Sequence, residues 1–274
     1  MDIYTAASYK ASKLITNEYS TSFGLSIRLF ETSLRPHIYA IYGLVRIADE
    51  IVDTYKGEDR LQLLDDLEAH LKSALVSGYS PNPIVHAFVT TARYYDITDT
   101  LIAPFFTSMR MDITPLKFDR KLYDTYIYGS AEVVGLMCLK VFTADANQYD
   151  KLQKGACHLG AAYQKVNFLR DIAADAEGLG RWYFPTGSFE TFDEKTKATV
   201  IRDIEKDFAI ASKTIAQLPA SSRKAVELSY QYYSQLLKQI KLTPAASLKK
   251  KRIRVSDLQK TALFLQTSLG RSRA

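Results

Sequence analysis

The sequence predicts an all-α protein, and three observations carry that prediction. Glycine (12) and proline (8) are sparse in 274 residues, below the ordinary shares of about 7% and 5%. Few chain breakers leave long elements uninterrupted. Apolar residues recur at spacings of three and four through most of the chain, the period of a helix with one buried face. No alternating apolar and polar pattern persists beyond a few residues, so strands are not expected. With 47% hydrophobic and 24% charged residues the composition is that of a globular protein, which excludes disordered and fibrous classes. With no repeat and no Gly-, Ser- or Pro-rich linker, residues 1–274 are read as a single domain.

The elements follow in order. Residues 33–54 read as one helix, entered at Ser33 with Pro36 in its first turn, where proline is tolerated. Residues 58–77 carry Leu61, Leu64, Leu67, Leu71 and Leu75 as a helical stripe. Helical segments are expected near 83–95, 98–110, 119–143 and 147–178. The span 178–193, with Gly178, Gly180, Pro185 and Gly187, is the expected loop. Further helices are expected near 194–217 and 220–241, before a break at Pro244.

Two cysteines, Cys138 and Cys157, and four histidines exclude a disulfide scaffold and a clustered zinc site. Two thiols suit a reducing cytosol. Met1-Asp2-Ile3-Tyr4 shows no secretory pattern, and no apolar run reaches the length of a membrane span. A cytoplasmic protein, with peripheral contact at the inner membrane face as an open option, is expected. The net charge is +6. Its one dense run, Lys249-Lys250-Lys251-Arg252-Ile253-Arg254, is open to two readings: a solvated helix end, or a contact with phosphates or anionic lipid. No nucleic-acid motif accompanies it, so no nucleic-acid partner is expected.

Two helices carry carboxylates where a core face would be expected. In the first, Tyr42, Arg46, Asp49 and Asp53 are spaced four, three and four, which keeps them on one side beside the apolar Ile38, Ile41, Val45, Ala48 and Val52. In the second, Gln164, Asn167, Asp171 and Asp175 repeat such spacing, with Arg170 alongside. Like charges at i and i+4 destabilise an isolated helix. A single pair is commonly a solvated face bridged to an arginine, as Arg46 would allow. Two extended pairs inside apolar helices suggest a bound divalent cation. Aspartate oxygens are hard ligands, and Mg²⁺ typically combines one or two carboxylates with water and phosphate oxygens. A cavity binding Mg²⁺ and a diphosphate follows, with Arg46 and Arg170 available to phosphate oxygens.

At these residues the sequence resembles the squalene/phytoene synthase family. Arg46-Ile47-Ala48-Asp49-Glu50-Ile51-Val52-Asp53 is similar to the family's first aspartate-rich motif. Asn167-Phe168-Leu169-Arg170-Asp171-Ile172-Ala173-Ala174-Asp175 is similar to its second. Tyr19-Ser20-Thr21-Ser22-Phe23, Tyr128-Gly129-Ser130-Ala131-Glu132-Val133-Val134-Gly135, Gly180-Arg181-Trp182-Tyr183-Phe184-Pro185 and the stretch from Arg252 to Phe264 resemble further family segments in order. The resemblance runs from about residue 9 to 265.

What the resemblance implies is an isoprenoid synthase-type helical bundle around a central cavity, with head-to-head condensation of two prenyl diphosphates. Asp49, Asp53, Asn167, Asp171 and Asp175 match the metal-binding positions, for Mg²⁺ with Mn²⁺ as a substitute. Gln164, Arg46, Arg170 and Arg252 match diphosphate contacts. Tyr42, Tyr128 and Tyr233 match positions near the reacting ends, and Ser22 and Phe23 a flap. Glu132 stands where the family pattern leads one to expect a small residue, and Glu18 and Thr21 depart from the polar or basic positions of some relatives. The reaction expected is two geranylgeranyl diphosphates giving phytoene, through a cyclopropylcarbinyl diphosphate, without NADPH. The C30 products from two farnesyl diphosphates, and a non-catalytic binding or assembly factor, are the alternatives. Head-to-tail prenyltransferases and terpene cyclases are disfavoured, because Asp49-Glu50-Ile51-Val52-Asp53 lacks their aspartate doublet.

Overall fold

Long apolar stripes on helices must be buried against other helices, and the result is a bundle with a hollow centre. The structure, a computed structural model, describes residues 1–269 except Pro115 and Ala144. Among the described residues there are thirteen α-helices and no strand: α1 Ile3–Tyr19, α2 Thr21–Ile27, α3 Arg35–Asp49, α4 Arg60–Ser77, α5 Pro83–Tyr94, α6 Asp99–Met111, α7 Arg120–Ile127, α8 Val133–Phe142, α9 Ala146–Ala173, α10 Glu194–Ile215, α11 Ala220–Leu242, α12 Ala245–Leu248 and α13 Asp257–Ser268. No helix among them is long and apolar enough to cross a membrane.

Most expected segments fall within two residues of a helix. Three differ in kind. The helices expected over 33–54, 119–143 and 147–178 are each interrupted or ended by a π-helical turn: Glu50–Thr54 after α3, Tyr128–Glu132 between α7 and α8, and Ala174–Gly178 after α9. Such turns insert a residue into the helical register and collect at functional sites. Ser33 does not cap α3, whose first residue is Arg35, preceded by Leu34 without a side-chain cap. Helices α1, α2, α12 and α13 lie in stretches for which no helix was expected. Capping side chains define the starts of the first two and the last: Asp2 accepts from the Thr5 amide, Ser20 from Phe23, and Ser256 from Gln259 within a capping box.

Two clusters of buried side chains hold the bundle. One joins α3 to α6 and α8 through residues such as Ile41, Leu44, Phe88, Phe105, Phe106 and Met137. The other joins α7, α9, α10 and α11 through Ile127, Val166, Leu169, Ile204, Phe208 and Ile240. Small residues set the closeness of α9 to the second π turn. A Cβ on Gly160 would stand 2.6 Å from the Ala131 carbonyl oxygen. One on Gly135 would stand 2.9 Å from that of Ala156. Any larger residue at Gly160 would push α9, and its carboxylates, outward.

Candidate functional site

The helices enclose a cavity of about 870 Å³, open at one end. Its walls on α9 run from Leu152 to Asp171, about 28 Å of helix axis. The deep end is apolar, lined by Phe30, Ile38, Leu139, Phe142, Leu152 and Ile215. The mouth is polar.

The two aspartate pairs occupy opposite sides of that mouth, and each straddles a helix-to-π junction. Asp49 is the last α residue of α3 and Asp53 lies in the following turn. Asp171 lies in α9 and Asp175 in the turn after it. All four line the cavity, as do Ser22, Phe23, Tyr42, Arg46, Gln164, Asn167, Arg170, Tyr233 and Arg252. Tyr128 does not. It heads the second π turn, is 39% exposed, and leaves Ser130, Ala131, Val134 and Gly135 of that segment to line the cavity. The π register rotates Tyr128 away, so its expected place near the reacting ends is not the one it takes. Glu132 likewise faces out of the cavity, toward Cys157, His158 and Lys165, and burial pushes its carboxyl pKa up. The small lining expected there comes from its neighbours.

Arginines hold the carboxylates in part. Arg170 Nη2 lies 2.5 Å from Asp171 Oδ2, and Arg252 Nε lies 2.6 Å from Asp171 Oδ1. Arg46 pairs with Glu50, places its guanidinium 4.0 Å from the Tyr19 ring centroid, and approaches Asp49 Oδ2 only to 3.9 Å. Negative charge is left in excess. Burial, then the neighbouring Asp53, pushes Asp49 up to about 8. Burial, then Asp171, pushes Asp175 up to about 7. Asn167 Oδ1, one turn before Asp171, is buried without a hydrogen-bond partner. Among the described residues no three acidic, histidine or cysteine groups converge as a ready-made metal cage. An unpaired carbonyl oxygen and crowded carboxylates nonetheless suit a cation that keeps water and phosphate oxygens in its shell.

One residue outside the two aspartate motifs ties the two walls together. Arg181 follows the third π turn, and its backbone N–H donates to the Asp175 carbonyl at 2.8 Å. Its Nη1 lies 2.5 Å from Asp53 Oδ1, and its Nη2 donates to the carbonyls of Val52 and Asp112 at 2.9 and 2.8 Å. Asp112, at the end of α6, accepts from the Tyr126 and Tyr183 hydroxyls, both at 2.7 Å. Burial pushes Asp112 up to about 6, although Arg181 opposes the shift. Arg181 stands in the segment Gly180–Pro185 that resembles the family's, but nothing in a linear pattern joins positions 53, 112 and 181.

Aromatic rings cover the space between mouth and floor. Phe23 stacks on Tyr42 with centroids 4.9 Å apart, and Tyr163 stacks on Tyr233 at 3.8 Å. Lys260 of α13 donates to Thr21 Oγ1 at 3.2 Å, fastening the C-terminal helix to the α2 flap.

This architecture is that of the all-α isoprenoid synthases. A family model described as squalene/phytoene synthase matches residues 16–259. The chain is 33% identical over 212 residues to a presqualene diphosphate synthase of Zymomonas mobilis, covering 76% of this chain and 69% of that protein. It is 29% identical to a phytoene synthase of Arthrospira platensis, covering 85% and 84%. A crystal structure of a dehydrosqualene synthase superposes with a TM-score of 0.81 at 20% identity, covering 97% of both chains. The chain therefore belongs to the squalene/phytoene synthase family and is a prenyltransferase of that family.

Proposed function

We propose that the protein condenses two geranylgeranyl diphosphates head to head into phytoene, through a cyclopropylcarbinyl diphosphate and with Mg²⁺ or Mn²⁺. The observation that carries this reading is the pair of aspartate motifs set across one mouth and joined through Arg181, above an apolar interior. Asp49 and Asp53 on one wall, and Asn167, Asp171 and Asp175 on the other, are the residues that would hold the metal. When bound, it neutralises diphosphate charge and so eases departure of a poor leaving group.

The chain's own residues supply the rest. Arg46, Arg170 and Arg252 stand at the rim, where planar guanidinium donors match phosphate oxygens. Gln164 lines the same wall as Asn167. The stacked pairs Phe23–Tyr42 and Tyr163–Tyr233 present π faces to a developing allylic cation, worth about 2 kcal/mol each where desolvated. The apolar interior orients both chains and withholds water, which would otherwise capture the cation. Loss of a proton completes a redox-neutral product, so NADPH is not required. We place the enzyme in the cytoplasm, with peripheral contact at the inner membrane face where its apolar substrates and product partition.

A second reading, condensation of two farnesyl diphosphates to a C30 product, is favoured by one feature. Phe30 and Phe142 stack across the deep end with centroids 5.0 Å apart, shortening the space for a long chain. The test is a product assay with Mg²⁺ and either substrate, with and without NADPH. Phytoene from the C20 substrate without NADPH is the expected result. A C30 product from the C15 substrate keeps the reaction and corrects the chain length. No hydrocarbon from either overturns the proposal in favour of a non-catalytic role.

A further inference from the structure

A second cavity, of about 580 Å³, lies between α1 and the connector from α2 to α3, and shares no lining residue with the first. Lys10 and Lys13 line it from α1, Arg28 and Arg35 from the connector and the start of α3, and Tyr39 from α3. No carboxylate lines it. Among the described residues, Lys10, Lys13 and Arg28 have no ion pair or hydrogen bond to their side chains. Arg35 donates through Nε to the Phe30 carbonyl at 2.8 Å. The inner wall is Tyr39, only 5% exposed. Its hydroxyl has no partner among the described residues and feels the charges of Arg28 and Arg35.

Four cations gathered without a counter-charge repel one another. The Tyr39 hydroxyl, on the groove wall and without a protein partner among the described residues, is a donor open to whatever enters. One ligand meets both features: a compact anion with several acceptor oxygens, taking guanidinium forks, ammonium charges and the Tyr39 O–H together. We infer that this groove binds a phosphate group, at a site separate from the aspartate cavity. The phosphate can be free in solution or the headgroup of a phospholipid. Ile3 (90% exposed) and Leu14 (62%) share a helical stripe with Lys10, at spacings of seven and four, which would set apolar side chains beside a headgroup.

The test compares the full chain with a Lys10→Gln/Lys13→Gln/Arg28→Gln variant, all three positions being exposed. A Lys249→Gln/Lys250→Gln/Lys251→Gln variant controls for the other basic run. One arm is flotation with phosphatidylcholine vesicles, with and without phosphatidylglycerol. The other is the rise in melting temperature on adding inorganic phosphate without divalent cation. If the source is lipid, the wild type floats only with the anionic vesicles, and the groove variant binds about a hundredfold more weakly. If it is free phosphate, the wild type gains thermal stability that the groove variant does not, and vesicles are ignored. Equal behaviour of wild type and groove variant in both arms overturns the inference. Prenyltransferase turnover is unchanged in the groove variant in either supporting case.

Discussion

Helix α9 carries two clusters of buried charge on different faces, and they differ in whether the protein balances them. On the face toward α10, Lys165 reaches Asp203 and Asp207 at 2.6 and 2.7 Å, and His158 meets Asp207 at 2.8 Å. Burial alone would lower the Lys165 pKa, but its two carboxylate partners outweigh that and raise it. Every group there has its partner. On the face toward the cavity, Asn167 keeps an unpaired oxygen, and Asp175 is pushed up to about 7 by burial and by Asp171. A balanced network rigidifies a packing interface, whereas an unbalanced one is a site awaiting a charge. The comparison separates two uses of acidic residues on one helix, and it breaks if mutation of the two faces has like effects.

The largest expected effect is on the unbalanced side. Asp49→Asn or Asp171→Asn lowers turnover by at least about a thousandfold, the scale of losing a group that stabilises charge in the transition state. The helical circular dichroism spectrum is retained in both. Turnover within tenfold of wild type in either variant would remove the aspartates from the chemistry.

Next comes the balanced side. Lys165→Met strands Asp203 and Asp207, and breaking a buried pair by removing one partner costs about 3–5 kcal/mol. Chemical denaturation should show that loss, while turnover per folded molecule stays near wild type. Arg181 is the intermediate case, because it uses the balancing device inside the site. Arg181→Lys keeps the charge but cannot reach Asp53, Val52 and Asp112 at once, so turnover falls by about a hundredfold through misplacement of the two walls. Full activity in the lysine variant would reduce Arg181 to a point charge.

The same contrast explains what the sequence disclosed. Spacing of three and four placed Asp49, Asp53, Asn167, Asp171 and Asp175 on two helix faces, and the structure sets those faces across one mouth. The π turns were not legible, because helical period is read at 3.6 residues per turn and a single inserted residue does not disturb the apolar pattern enough to be seen. That is why Tyr128 was expected inside the cavity and lies outside it, and why Glu132 looked misplaced although it faces the balanced network. Arg181 and Asp112 escaped for a different reason. Their roles come from contacts 69 and 128 positions apart in the chain, and no local pattern encodes such pairings.

The smallest expected effect tests the imbalance without any chemistry. Asp49 has an ordinary pKa of 3.8 and is pushed up to about 8 in the folded state. The folded protein therefore binds this proton more tightly than the unfolded chain does. Its contribution to stability is complete below about pH 4 and is lost as the pH rises through 8. Without divalent cation, the melting temperature should fall across that window. Asp49→Asn carries no charge to desolvate, so it should flatten the slope and melt about 2–4 °C higher than wild type at pH 8, for each 1 kcal/mol relieved. Adding Mg²⁺ at pH 8 should stabilise the wild type and not the variant, because a cation meets the same excess charge that the proton otherwise cancels. A wild-type melting temperature independent of pH between 4 and 8 would mean that the carboxylates of the mouth are already balanced by Arg46, Arg170, Arg181 and Arg252. The two faces of α9 would then be alike.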